Sequence, residues 1–384
     1  MTEVNHIQCN KCILDTHDDP NIQFNEEGIC NYCRGYSEKY EKNWPRKPEL
    51  AEKLKLQIAE IKAHGKNKKH DSILGVSGGV DSTYFAMKAK EWGLTPLLIH
   101  FDNGWNTELA VQNINAIVEN TGFDLFTYVV DWEEFKDLQL SYIRSGVLDW
   151  EIPTDHGFYA CLYNQSYKLG INSILTGHNY QTESILPKTM RWSKLDVANI
   201  YDIQKIFGSK KLKTFPMLNF WKNIFYGFMM DFKRYNLLEL IDYDKDVAKQ
   251  EIIDKMGWKD YGGKHYESFF TKFYQGYVLR EKFGFDKRKA HLSNLICSKQ
   301  ITKEQAIEEL VKPSYDSVKL EEDIEYFVKK MNLTRHEFND IMATPVVPHT
   351  HYKSYETGLY RQHESFMLKI KPITSIIKRV FRKS

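Results

Sequence analysis

From residue 71 onward, the apolar positions alternate between two textures. Short runs of strand length, SILGV (72–76), PLLIHF (96–101), LFTYVV (125–130) and NSILTG (172–177), are separated by stretches of helical character at 82–92, 107–120, 133–145 and 158–169. Strands alternating with helices predict an α/β fold, a doubly wound parallel sheet with right-handed crossovers. In such sheets ligands bind at the carboxyl ends of the strands, so chemistry is expected in the polar residues that follow each run. Upstream, Leu54, Ile58 and Ile61 recur at helical spacing in a charged stretch that stops near Gly65. Residues 186–240 interleave basic and aromatic side chains, and 241–345 read as mainly helical. The pattern divides the chain into 1–40, a helical linker 41–70, an α/β domain 71–240, a mainly helical region 241–345 and a tail 346–384.

Composition narrows the classes. The 384 residues carry 53 Lys+Arg against 51 Asp+Glu, a net charge of +2, which argues against a globally polybasic nucleic-acid binder. With 42% hydrophobic content, bulk disorder is not expected. No apolar run approaches the roughly 18 residues that span a bilayer. MTEVNHIQCN has neither the basic nor the apolar region of a secretory signal, so a cytoplasmic location is expected, with reduced cysteines. From 369 on, the tail has six basic and no acidic residues. It reads as a solvated terminus or as a peripheral contact with a partner or an anionic membrane surface.

Cys9, Cys12, Cys30 and Cys33 form two C-x2-C pairs 17 residues apart. That spacing suits two knuckles joined by a tetrahedral ion, and four thiolates close the site to water, so structural Zn²⁺ is expected. Free thiols and an iron–sulfur centre are the alternatives.

After the first strand come Ser77, Gly78, Gly79, Val80, Asp81 and Ser82, followed by a helix. The run is neither a Walker A loop nor a dinucleotide fingerprint. It is still a phosphate cradle. Two glycines let successive N–H groups face one concavity, and the helix N-terminus adds donors and a positive dipole end. Ser77 and Ser82 add hydroxyls, and Asp81 a carboxylate able to hold Mg²⁺.

SGGVDS resembles the PP-loop of the ATP pyrophosphatases. That resemblance implies release of pyrophosphate from ATP and transfer of AMP to a substrate oxygen. It also implies roles at two further strand ends. Asp102 would lie near the nucleoside, Gly177 and His178 at the nucleotide, and Glu183 at Mg²⁺ beside Asp81. A second stretch, GWKDYGGKHYES (257–268), is followed by FGFDKRKAHLS (283–293). Together with the knuckles and the loop, these resemble the N-acetyl sugar amidotransferases of the WbpG/PseA type, over roughly residues 5–345.

The resemblance implies that an acetamido group on a bacterial surface sugar, such as that of an LPS O-antigen, becomes an acetamidino group at the expense of ATP. Asp81, Lys264 and His265 are the candidate catalytic residues. Lys264, His265, Glu267, Lys287, Arg288 and His291 are the candidates for sugar or sugar-nucleotide binding; each is also readable as an ordinary helix-face or turn residue. Only Cys161 and Cys297 lie outside the knuckles, and neither sits in a glutaminase-like turn, so ammonia is expected from a separate HisH-like glutamine amidotransferase with a HisF-like subunit. The rival is a tRNA sulfurtransferase, which would need a cysteine pair where this chain has two solitary ones. No nucleic-acid partner is therefore expected.

Overall fold

The computed structural model describes residues 6–40, 48–262 and 266–357. Lys264, His265 and the basic run beyond 368 lie outside the described residues. Five parallel strands, β1 (Ser72–Gly75), β2 (Pro96–Asp102), β3 (Leu125–Val129), β4 (Ser173–Leu175) and β5 (Lys233–Tyr235), form one sheet in the order β3-β2-β1-β4-β5. Ile73 aligns with Leu97 and Ile174, and Leu175 with Tyr235. The chain extends the sheet from β1 through β2 to β3, then crosses back to place β4 on the other side of β1. The loops after β1 and β4 are thereby neighbours at a topological switch point.

The inner strands β1, β2 and β4 are buried on both faces, with period-two alternation, while the edge strands β3 and β5 are partly exposed. Leu74 and Leu98 point to a layer made by α3 (Val80–Glu91), α4 (Glu108–Thr121) and α10 (Lys245–Met256), where they meet Phe85, Ile117 and Ile252. Ile73, Ile99 and Phe101 point the other way, to α5 (Trp132–Arg144) and α6 (Ile152–Leu169). Thr107 and Asp131 cap α4 and α5 by accepting from Ala110 N and Glu134 N, and Gly122 and Gly170 end α4 and α6 in left-handed conformation.

Residues 186–240 hold α8 (Val197–Phe207), α9 (Phe220–Met230) and the edge strand β5. A short α7 (Tyr180–Glu183) precedes them. The C-terminal region is helical: α11 (Phe269–Phe273), a π turn at Tyr274–Val278, α12 (Leu279–Glu281), α13 (Lys287–Cys297), α14 (Lys303–Val311), α15 (Ser317–Met331) and α16 (Arg335–Ala343). Its aromatics Phe270, Phe273, Phe327 and Phe338 are buried in the same core as Ile99 and Phe135. At the N-terminus, the cysteine knuckles lead into α1 (Asn31–Tyr40), and α2 (Pro48–His64) precedes β1. Among the described residues no helix is long and apolar enough to cross a membrane.

Candidate functional site

The loop Ser77–Ser82 turns at Gly78, whose φ is +79°. A Cβ there would stand 2.6 Å from the Ala110 carbonyl oxygen, so only glycine fits. The serines brace the turn. Gly79 N donates to Ser77 Oγ (3.3 Å), and Ser82 Oγ donates to Gly79 O (3.2 Å). Gly79 is the N-cap of α3 and brings no capping side chain. The first amides of a twelve-residue helix thus begin at the loop, as an anion cradle requires.

Asp81 sits in the first turn of α3. Its Oδ1 accepts from Asn179 Nδ2 (3.2 Å) and from the Tyr243 hydroxyl. Asn179 also caps α7, accepting from Thr182 N (3.0 Å). The loop after β4 is therefore hydrogen-bonded to the loop after β1, and a Cβ at Gly177 would lie 3.5 Å from the Asp81 carbonyl carbon. His178 is half-exposed, 3.8 Å from Glu239 Oε1, and Glu239 raises its pKa, with Glu183 and Asp81 adding to the effect. Burial holds the Tyr243 hydroxyl well above its ordinary range, and the charges of Asp81 and Glu183 push it further. Glu183 and Asp81 thus act on the same two side chains.

At the end of β2, Asp102 Oδ1 accepts from Gly104 N (2.9 Å) and Asn106 Nδ2 (3.0 Å). Asn106 Nδ2 also donates to His100 Nε2 (3.0 Å). His100 Nδ1 then donates to the Val76 carbonyl (3.0 Å), directly before Ser77. Burial lowers the His100 pKa, keeping the ring neutral in this relay from Asp102 to the loop.

The 257–268 stretch closes the other side. Trp258 Nε1 donates to Gly78 O (2.9 Å). Asn113 fixes Lys259 through both its N–H (2.8 Å) and its carbonyl (2.9 Å). Glu267 pairs its carbonyl with Thr107 N (3.0 Å), next to the end of β2. A Cβ built on Gly79 would be 3.4 Å from both Glu267 Oε1 and the Tyr261 hydroxyl. Ser77, Gly78, Gly79, Asp81, Ser82, Asp102, Gly177, His178, Glu183 and Glu267 are thus gathered at one end of the sheet.

The DKRKAH run divides. His291 Nδ1 donates to Thr182 O (3.3 Å) and so backs α7. Arg288, expected to meet a substrate anion, instead holds Asp286 with Nε and Nη2 and the Lys312 carbonyl (2.8 Å) with Nη1, tying α13 to the end of α14. Lys289 bridges Asp15 (2.7 Å) and Asp18 (3.1 Å) of the knuckles. Lys287 lines a cavity beside α6.

Sequence reading missed Asn179, Tyr243, Trp258, Asn113 and His100 as site residues. Trp258 and His100 stood inside quoted runs and Asn179 directly follows His178; Tyr243 and Asn113 carry no local signal.

The four cysteines are buried, and their sulfurs lie within 4.8 Å of one another. Cys12 N and Cys30 N donate to Cys9 Sγ (3.4 and 3.2 Å), and Cys33 N to Cys30 Sγ (3.4 Å). Amides aimed at sulfur favour thiolates, so the donor set and its packing fit a four-thiolate metal site. Cys297, expected to stand alone, lies 3.5 Å from Cys33, sulfur to sulfur. Helix α13 therefore touches the knuckles through Lys289 and Cys297, and α7 through His291 and Asn294; Asn294 Oδ1 accepts from Ser184 N (2.9 Å) and Ile185 N (2.9 Å).

With this geometry in view, comparison with known proteins gives three likenesses. Residues 267–367 match the family described as LPS biosynthesis protein WbpG-like, C-terminal domain. The chain is 30% identical over 118 residues to the tRNA(Ile)-lysidine synthases of two Thermus thermophilus strains, a match that covers 30% of this chain and 22% of theirs. The chain thus spans about a fifth of the length of these curated relatives. The structure of NMN synthetase from Francisella tularensis aligns with a TM-score of 0.28 and 17% identity, over 56% of this chain and 88% of that one. The fold is a five-stranded parallel α/β sheet with an N-terminal four-cysteine cluster and a helical C-terminal region. The segment that matches the WbpG-like domain lies at the C-terminal end of the chain, and its first residue, Glu267, stands against the loop after β1.

Proposed function

We propose that this protein is an ATP-dependent amidotransferase that converts the acetamido group of an N-acetyl sugar or sugar nucleotide into an acetamidino group, for a bacterial surface polysaccharide. The observation that best supports this is where the WbpG-like segment begins. Its first matched residue, Glu267, stands against Gly79 of the phosphate loop.

An amide carbon is a poor electrophile. In the proposed reaction the amide oxygen attacks the α-phosphorus of ATP and pyrophosphate leaves. Ammonia then adds to the activated carbon and loses a proton, and AMP departs with the former amide oxygen. The α3 amides, Ser77 and Ser82 receive the pyrophosphate oxygens. Asn179 and Tyr243 fix the Asp81 carboxylate, and Asp81 with Glu183 would hold Mg²⁺. When bound, that ion neutralises charge developing on the leaving group. Lys264 and His265 are proposed to act at the acceptor. The four cysteines are proposed to hold structural Zn²⁺.

Neither remaining thiol suits a glutaminase. Burial pushes the Cys161 thiol up to about 12, and Cys297 is buried against Cys33. Ammonia is therefore proposed to come from a separate glutamine amidotransferase in the cytoplasm, HisH-like with a HisF-like subunit. The same two thiols are poor sulfur carriers. The partial likeness to tRNA(Ile)-lysidine synthases nevertheless keeps a tRNA substrate as the second reading.

The test is incubation with ATP, Mg²⁺, ammonium and a panel of diacetamido sugars and sugar nucleotides, followed by mass spectrometry. Replacement of the amide oxygen by NH lowers the mass by about one unit and adds a base, while AMP and pyrophosphate appear. Glutamine without the partner subunits supports no turnover. Pyrophosphate release on adding tRNA, with no sugar product, overturns the reading.

A further inference from the structure

A cavity of about 400 Å³ is lined by Asp149, Asp155, Arg191, Trp192, Lys194 and Lys287, among others. Its position follows from α6. This helix runs back across the sheet to enter β4, so its first turn stands at the carboxyl ends of the strands. Thr154 Oγ1 accepts from Asn103 Nδ2 (3.0 Å), just past β2. The Phe158 ring occupies the space a Cβ would need at Gly75, the last residue of β1. Asp155 is about one turn of helix beyond Phe158, toward the level of the Ser77–Ser82 loop. The other walls come from the same neighbourhood. Arg191 donates to Ser184 O (3.3 Å), at the exit of α7, and Lys287 is one turn before His291, which touches Thr182.

The charges in the cavity are unevenly satisfied. Lys194 pairs with Asp149 and with Asp155 (3.0 Å). Glu151, also on the wall, accepts from Gln275 (2.8 Å), whose helix widens there into the π turn; π turns frequently mark functional sites. Among the described residues, neither Lys287 nor Arg191 has a carboxylate partner. Carboxylates engaged by neighbours still accept hydroxyl donors, whereas two cations without counter-ions call for an anion. Trp192 and Tyr274 add aromatic surface. The volume falls within the range for small-molecule sites and suits a monosaccharide.

We propose that this cavity seats the acceptor sugar of the reaction above, with Lys287 and Arg191 against an acidic group that the sugar carries, a carboxylate or a phosphate. The assignment rests on the amidotransferase reading. Asp155 and Glu151 accept ring hydroxyls, and the amide is directed toward the loop.

Calorimetric titration of the full chain tests this with four probes: N-acetylglucosamine, N-acetylglucosamine 1-phosphate, N-acetylneuraminic acid and a non-hydrolysable ATP analogue. One acidic sugar is expected to bind at least tenfold tighter than the neutral one, and which one binds separates phosphate from carboxylate. Lys287→Glu lowers that affinity tenfold or more, and Lys287→Gln does so less. ATP-analogue affinity stays within twofold in both variants, which also shows that they are folded. Acidic-sugar affinity indifferent to Lys287→Glu and to Arg191→Glu overturns the assignment. So does binding of the ATP analogue with none of the three sugars. Failure of wild-type protein to bind the analogue defeats the adenylation reading instead, and the sugar titrations then judge the cavity by themselves.

Discussion

Trp258 donates its indole N–H to the Gly78 carbonyl at 2.9 Å, across 180 positions of sequence. Trp258 is buried, and the bond presses the 257–268 stretch onto the phosphate loop. Trp258→Phe keeps the ring packing and removes the donor. Because a buried carbonyl that loses a donor costs about 1–2 kcal/mol, ATP affinity is expected to fall roughly 5- to 30-fold. Equilibrium binding of an ATP analogue checks this. Unchanged affinity would show that the bond does not set the loop.

The Asp81 carboxylate is held by Asn179 and Tyr243. Asp81→Asn is expected to reduce pyrophosphate release by at least about 100-fold with unfolding behaviour preserved, since transition-state charge stabilisation contributes on that scale. Tyr243→Phe, which only frees the carboxylate to move, should cost about tenfold in kcat. Near-normal turnover in Asp81→Asn removes the carboxylate from the mechanism.

The knuckle cluster predicts one zinc per chain and no visible absorbance. Cys12→Ser is expected to lose the metal and to unfold residues 6–40 against α13. Cys297→Ser, outside the group of four, keeps it. Elemental analysis with an absorption spectrum decides between zinc and iron.

His156 is fully buried, donating from Nδ1 to Lys194 O (2.8 Å) and accepting at Nε2 from Leu218 N (3.1 Å). Burial lowers its pKa to about 4. The unfolded chain binds this proton near pH 6.5 and the folded chain does not. Stability from the neutral ring is therefore full above pH 6.5 and declines as pH falls toward 4, by about 3 kcal/mol at most. Urea denaturation at pH 7.5 and 4.5 measures the slope, and His156→Gln should flatten it. An equal slope in that variant would assign the acid sensitivity to other groups.

Much of this arrangement is legible along the chain because it is local. The apolar runs at 72, 96, 125 and 172 became β1 to β4 with shifts of a residue or two. The knuckle spacing and SGGVDS place their own residues. What could not be read depends on partners distant in sequence. β5 is Lys-Arg-Tyr, with no apolar run of its own, and pairs only because β4 presents an open edge. Arg288 and Lys289 look alike in a basic run, yet one caps a helix end and the other crosses to Asp15, 274 residues away. Tyr243 reaches Asp81 from beyond β5, and Cys297 reaches Cys33 from α13. No window of sequence contains such pairs.

The seat of the cysteine knuckles has a consequence for how the protein is made. Residues 6–40 are synthesised before Lys289 and Cys297, which complete their packing from far downstream in the chain. The knuckles can gather a metal early, as a small peptide can, yet their final seat waits until α13 exists. A nascent chain halted before residue 287 would carry its cysteines without that helix. Such a truncated product would be the form most open to oxidation and to proteolysis, while completion of α13 secures the knuckles and the α7 loop in a single step.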